Sequence, residues 1–395
     1  MTEGSQQNGT RSRLRSIGRW VALVIAAVLA LQLWPAAWVA IPLASFSPFV
    51  AVGSALAARS VGFLVLLGLP ALVLVLIWRR WFCKHTCPLG LLLDLVARLR
   101  PSASRSWKRW PPVGRGFAVL TLAGACAGYP LLLWLDPLAI FNGFFSAWRQ
   151  PLTLAAACAG LAMPLVLFLE LWQPRFWCAR LCPLGGLQEL LALRRRRNAS
   201  IARSGMAVAR RGFLVACLGA AGGLAVKTAR GQTPPLRPPG SLDEQRFTGV
   251  CVRCGNCTRV CPTNILRPDL GEHGLAGFLA PVMQFDNGYC QENCNRCNQV
   301  CPSGAIQRLP LAEKRRCVIG VAKVNLETCL LADGRECTLC IRACPYEALS
   351  VFTDGFDSRP KLDLAKCTGC GACEVVCPVR PQRAIRIVPQ AGTSG

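Results

Sequence analysis

Cys367-Thr368-Gly369-Cys370-Gly371-Ala372-Cys373-Glu374-Val375-Val376-Cys377-Pro378 is the stretch on which the reading of the second half of the chain turns. Its spacing, C-x2-C-x2-C-x3-C-P, is that of thiolates wrapped round an iron–sulfur cubane. Two-residue gaps bring three thiolates to one cluster, and the fourth, beyond a turn ended by proline, reaches a neighbouring cluster. Cys251, Cys254, Cys257 and Cys261-Pro262 repeat this spacing without deviation. Two further runs differ only in the first gap: Cys290, Cys294, Cys297 and Cys301-Pro302 have three residues there, and Cys329, Cys337, Cys340 and Cys344-Pro345 have seven. Sixteen cysteines in four such runs predict four [4Fe–4S] clusters in two pairs. Zinc ribbons use pairs of C-x-x-C instead, and disulfides require no such spacing.

The two regular runs lie outermost and the two irregular ones between them. This symmetry favours a nested pairing, first with fourth and second with third, with sequential pairing as the alternative. Strand signals at Ala348-Leu349-Ser350-Val351-Phe352 and Ala384-Ile385-Arg386-Ile387-Val388 predict small α+β units with little core beyond the clusters. Cys317 stands outside the runs and reads as a bystander.

Toward the N-terminus the composition changes. The chain has 395 residues, 24 of them cysteine, with 45 basic and 20 acidic side chains and 52% hydrophobic residues. Residues 1–226 hold 24 basic against five acidic residues, net +19, and seven cysteines; the remainder is +6 with 17 cysteines. Nucleic-acid binding could use such charge, but the flanking hydrophobic runs favour membrane topology, so no nucleic-acid partner is expected. No charge occurs from Trp20 to Ala58, Ser60 to Trp78, Gly116 to Leu135 or Gln150 to Leu169. Each run can hold a spanning helix of roughly 20 residues, and four spans are predicted, the first over about residues 20 to 43.

Basic residues flank these runs unevenly. Arg11, Arg13, Arg15 and Arg19 precede the first. Arg79, Arg80, Lys84, Arg98, Arg100, Arg105, Lys108, Arg109 and Arg115 fill the second connection, and Arg194 to Arg197 and Arg203 follow the fourth, whereas the other two connections carry little beyond Arg59 and Arg149. The positive-inside rule then places the N-terminus in the cytoplasm. Arg210-Arg211-Gly212-Phe213-Leu214 opens a fifth apolar stretch of 14 residues, Phe213 to Val226. It resembles a twin-arginine export signal, with an ordinary anchor whose arginines obey the positive-inside rule as the alternative, and the lack of a clean A-x-A site favours an uncleaved anchor. Both readings put everything after Lys227 in a bacterial periplasm.

A repeat joins the second and fourth spans. Cys83-Lys84-His85-Thr86-Cys87-Pro88-Leu89-Gly90 recurs 95 residues later as Cys178-Ala179-Arg180-Leu181-Cys182-Pro183-Leu184-Gly185, and Asp94/Glu189, Leu95/Leu190 and Ala97/Ala192 extend the match. Cysteines four apart share one face of a helix, so two hairpins could offer four thiolates to one further cluster at the cytoplasmic surface. Zinc suits four cysteines equally well; the downstream runs favour iron–sulfur. Cys126, Cys158 and Cys217 read as small buried hydrophobes. His85 and His273 are the only histidines, and only His85 lies in the N-terminal half, which excludes a transmembrane haem with two His ligands; no C-x-x-C-H sequence occurs. No nucleotide, flavin or molybdopterin motif and no Ser/His/Asp constellation is present, so no catalytic residue is expected and the chemistry reads as electron transfer.

Residues of roughly 15 to 200, with their two C-x3-C-P-L-G motifs, resemble the NapH/MauN membrane ferredoxin-type proteins. Residues of roughly 205 to 390, with Arg210-Arg211 and four cysteine runs, resemble the NapG/MauM ferredoxin-type proteins. The chain departs from both in being a fusion, which makes the export signal internal, and in lacking NapH-type ferredoxin runs after the fourth span. The resemblance implies a membrane α-helical bundle followed by an α+β polyferredoxin domain. The segments would be a basic cytoplasmic N-terminus (1–19), a four-span domain (20–200), an anchor helix (205–228), a Pro/Gly-rich linker (229–245) and the polyferredoxin (246–390). It also implies quinol, drawn from the quinone pool, as electron donor and a periplasmic redox enzyme of nitrate-reductase type as acceptor. The alternative is an electron-donating assembly factor of methylamine-dehydrogenase type, and a redox sensor is a third class. A hydrocarbon layer of ~30 Å with no haem inside it makes diffusing quinol the natural carrier.

Overall fold

The computed structural model describes residues 3–31, 42–60, 62–78, 80–99, 111–148, 154–196, 205–228, 234–355 and 357–390. Arg79, Arg100, Arg105, Lys108, Arg109, Arg149, Arg197, Arg203 and positions 229–233 of the expected linker lie outside these residues. The chain divides into a helical unit, Met1–Arg230 with Gln245–Asn256 and Val300–Ala305, and a cysteine-rich unit, Gly231–Glu244 with Cys257–Gln299 and Ile306–Gly395.

The helical unit contains α1 (Glu3–Leu31), α2 (Pro48–Ala58), α3 (Phe63–Leu66), α4 (Leu69–Ile77), α5 (Trp81–His85) and α6 (Pro88–Arg98). It continues with α7 (Val113–Cys126), α8 (Pro137–Ala147), α9 (Leu154–Gly160), α10 (Ala162–Trp172), a π-helical turn (Trp177–Leu181), α11 (Pro183–Arg196), α12 (Gly205–Thr228) and α13 (Glu244–Val250). Among the described residues no single helix is long and apolar enough to cross a membrane. This corrects the expected bundle of four spans plus a short anchor. Among the described residues only α9 and α10 pass that test together, bent by 42° at their junction.

The reason is conformational. Hydropathy runs on through proline and glycine, but helices do not. Proline offers no N–H to the carbonyl four residues back and its ring crowds that carbonyl. Pro70 does this to Leu66, where α3 stops, and Pro164 does it to Gly160, where α9 stops. Other prolines open helices at the first position, where no donor is needed. Pro48 follows the cap Ser47, whose hydroxyl accepts from Val50 N at 3.4 Å. Pro137 follows Asp136, whose carboxylate accepts from Leu138 N at 2.9 Å and Ala139 N at 3.3 Å. In α12 only Gly212–Val226 is apolar. That helix lies close on α7 through glycines: a Cβ at Gly219 would stand 2.4 Å from the Leu120 carbonyl oxygen.

Phe49, Phe82, Leu89, Leu93, Leu133, Leu138, Phe141 and Leu184 are buried together in this unit. Phe63, Leu165, Phe168, Trp172, Phe213 and Leu214 are instead more than half exposed. Cys126 and Cys217, expected to be buried, are exposed as well.

The cysteine-rich unit has strands β1 (Leu266–Pro268), β2 (Pro281–Met283), β3 (Val321–Val324), β4 (Leu349–Asp354), β5 (Asp357–Leu362) and β6 (Ile385–Val388). They pair antiparallel as β1–β2, β3–β6 and β4–β5. The two segments read as strands in the sequence fall on β4 and β6. In the β3–β6 ladder Val321 stands opposite Val388 and Val324 opposite Ile385. That pairing closes a bracket round the third and fourth cysteine runs, which lie between these strands in the chain. Ile265, Leu266, Met283, Phe285, Leu349, Ile385 and Ile387 share the core with Cys367, Cys373 and Cys377.

Candidate metal centres

Three cavities in the cysteine-rich unit are each lined by four cysteines. Cys261, Cys290, Cys294 and Cys297 surround one beside Ile265 and Met283. Cys329, Cys337, Cys340 and Cys377 surround another beside Leu331 and Ile385. Cys344, Cys367, Cys370 and Cys373 surround the third beside Tyr346 and Ile387. Every cavity takes three cysteines from one run and the last cysteine of another. The exchange partners are first with second and third with fourth, so the nested expectation is wrong. Gap lengths govern only how a run wraps locally; the β1–β2 hairpin lies between the first and second runs, and the β3–β6 ladder encloses the third and fourth. Cys251, Cys254 and Cys301 belong to the helical unit and Cys257 to the cysteine-rich one. Cys254 is held within the helical unit by α8: its carbonyl accepts from Asn142 Nδ2 at 2.7 Å and from Ser146 Oγ at 3.1 Å, all three residues being buried.

The donor set suits a polynuclear cluster. All 24 cysteines are free thiols, and among the described residues no three His, Cys, Asp or Glu side chains close on a point that one metal ion could occupy. The thiols stand round a cavity instead, as the corners of a cubane require. Burial pushes the Cys290, Cys297 and Cys373 thiols up. Burial, reinforced by Cys329 and Cys337, raises Cys340 to about 11; burial, reinforced by Cys344 and Cys290, raises Cys370 to about 11. Loading iron here therefore releases protons, since only thiolates bind it.

The cavities are contiguous within the unit. Cys290 N donates to the Cys370 carbonyl at 2.8 Å, and the Cys373 thiol interacts electrostatically with Cys340 across the neighbouring site. Gly371, at φ 88°, makes the turn between Cys370 and Cys373, and a Cβ there would lie 2.3 Å from the ring of buried Phe285. Gly371→Ala should lose about four iron atoms and lower stability by roughly 2 kcal/mol or more, from the strained φ together with overpacking. Iron analysis and denaturant unfolding of the anaerobic protein check this.

A fourth cysteine group lies in the helical unit. In both copies of the repeat the helix stops between the paired cysteines, so the single-face expectation does not hold. Cys83 lies in α5 while Cys87 caps α6, accepting from Gly90 N at 3.4 Å; Cys178 lies in the π-helical turn while Cys182 precedes α11, accepting from Gly185 N at 3.4 Å. The motif glycine is needed for close approach, because a Cβ would stand 3.3 Å from the Cys83 carbonyl oxygen at Gly90 and 3.1 Å from that of Cys178 at Gly185. All four thiols interact electrostatically, and Gln188 Nε2 donates to Cys83 Sγ at 3.0 Å.

Ion pairs cross between the copies. Arg80 binds Glu189 of the second copy, and Arg175 approaches Asp94 of the first at 3.9 Å. Arg115 adds a contact of 2.6 Å to Glu189, and Arg19 one of 2.7 Å to Asp94. The sequence reading missed Arg80 and Arg175 as a pair. They too are 95 residues apart, both at positive φ, so extending the repeat three residues upstream would have found them.

The family model described as a 4Fe-4S dicluster domain matches residues 250–305, which hold the first and second runs, and 333–381, which hold the fourth and all of the third but Cys329. MauM, a methylamine utilization ferredoxin-type protein of Methylobacillus flagellatus, is 38% identical over 177 residues, covering 40% of this chain and 72% of MauM. The ferredoxin-type protein NapG of Escherichia coli is 36% identical over 193 residues, 46% of this chain and 82% of NapG. The chain belongs to the NapG/MauM ferredoxin-type family. Its chemistry is therefore iron–sulfur, ferredoxin-type electron transfer. A Paracoccus denitrificans member of the NapG/MauM family is 38% identical over 201 residues, 48% of this chain and 87% of the relative. Outside the NapG/MauM part, a model described as a 4Fe-4S binding domain matches residues 61–106 and 151–200, which contain the two copies of the repeat. No solved structure matches.

Proposed function

We propose that this chain joins a NapH/MauN-like helical part to its NapG/MauM part and carries electrons from membrane quinol to a periplasmic redox enzyme. The contiguity of the three four-cysteine cavities carries this reading. The ligand sets are the three cavity sets in the cysteine-rich unit and Cys83, Cys87, Cys178 and Cys182 in the helical unit. When bound, [4Fe–4S] clusters supply one-electron transfer.

The exposed apolar side chains of α3, α10 and α12 support lipid contact, since soluble surfaces rarely carry so much exposed apolar area. Lipid contact also gives access to the quinone pool. The Arg210-Arg211 pair before the apolar part of α12 supports an outer-face, periplasmic position for the cysteine-rich unit. Identity to MauM proteins favours a second reading, in which the client is an enzyme under assembly rather than one in respiratory turnover.

One experiment tests donor and placement together. In right-side-out vesicles carrying the full chain, a quinol should bleach the cluster absorption and membrane-impermeant ferricyanide should restore it. In inside-out vesicles ferricyanide should fail. Absence of bleaching sinks the quinol donor, and restoration only in inside-out vesicles sinks the periplasmic placement.

A further inference from the structure

Lys314 ends the one-turn helix Leu311–Lys314 and is only 3% exposed. Its ammonium donates to the Gln291 carbonyl and to the Cys290 thiol, and its charge also reaches Cys297. Among the described residues no carboxylate pairs with it. A buried cation without a counter-ion is strongly disfavoured, so its retention points to an anion beside it. The cavity of Cys261, Cys290, Cys294 and Cys297 is where that anion would sit. Arg296 also lines this cavity but is exposed, where solvent screens its charge. In the other two cavities the electrostatic neighbours of Cys340 and Cys373 are thiols.

We infer that Lys314 is the built-in counter-charge of the cluster held by Cys261, Cys290, Cys294 and Cys297, and that it makes this cluster more readily reduced than it would be without that cation. The inference rests on the reading that the cavities hold [4Fe–4S] clusters. Reduction adds one electron and no proton, so the site gains one negative charge. A cation hydrogen-bonded to a ligand sulfur favours that reduced form, because net charge and hydrogen bonds to sulfur set cluster potentials. Lys314 acts through Cys290 and is a positioning residue for charge.

The test is an anaerobic redox titration of the full chain with dithionite as electron donor, followed by electron paramagnetic resonance. Lys314→Met should lower the reduction equilibrium of one signal by about tenfold or more, a shift of ~59 mV for one electron. The signal that moves should be the one missing from Cys294→Ser, and Lys314→Arg should restore it. Unchanged titration of every signal at full iron content overturns the inference, as does a shift in a signal that Cys294→Ser retains. If Lys314→Met does not load iron, Lys314→Gln takes its place. Loss of iron from both neutral variants with retention in Lys314→Arg supports the counter-charge role, and equal loss in Lys314→Arg overturns it. Full iron in Cys294→Ser would instead sink the underlying ligand reading.

Discussion

Cys377→Ser should abolish the same spectroscopic species as Cys340→Ser, and a different one from Cys373→Ser, although Cys377 and Cys373 are four residues apart in one run. The structure puts Cys377 with Cys329, Cys337 and Cys340, and leaves Cys373 with Cys344, Cys367 and Cys370. Each variant should lose about four iron atoms, and the adjoining site should weaken, because the two share a core with Ile385 and Ile387. Anaerobic iron analysis with electron paramagnetic resonance reads both effects. A Cys377→Ser spectrum matching Cys373→Ser would mean that each run holds its own cluster. One matching Cys254→Ser would restore the nested pairing.

How far the sequence could be read follows from this contrast. The ligand runs were legible because coordination imposes a spacing that neither a helix nor a strand produces by chance. The exchange between the third and fourth runs was not, because it depends on β3 meeting β6 across 60 intervening residues. No local spacing records that meeting. The repeat at Cys83 and Cys178 was visible as text, and the break inside each cysteine pair was legible too, since Pro88 and Pro183 keep the preceding cysteine out of the helical conformation and open new helices; the four-residue spacing alone hid it. The long uncharged runs misled for the opposite reason: composition averaged over Pro70 and Pro164, whose effect is confined to one missing hydrogen bond and one clash. Lys314 was invisible because a lone lysine reads as solvated surface until its burial is known.

The repeat yields the second large effect. If Cys83, Cys87, Cys178 and Cys182 form one site, Cys83→Ser and Cys178→Ser should each remove about four iron atoms, and the double variant should lose little more, because residues sharing one site are not additive. The crossed ion pairs make a graded companion test. The Arg80 and Glu189 side chains are 28% and 10% exposed, whereas Arg175 is 60% exposed at 3.9 Å from Asp94. Removing Arg80 leaves a mostly buried carboxylate with Arg115 alone, so Arg80→Ala should cost about 2–3 kcal/mol, within the range for a partly buried charge that keeps one partner. Arg175→Ala should cost under about 1 kcal/mol, as exposed pairs do. Equal effects of the two arginine variants would mean that the copies are joined by packing rather than by these charges. Additive iron loss in the cysteine double variant would mean that each pair holds its own metal, and the single four-thiol site would then have to be abandoned.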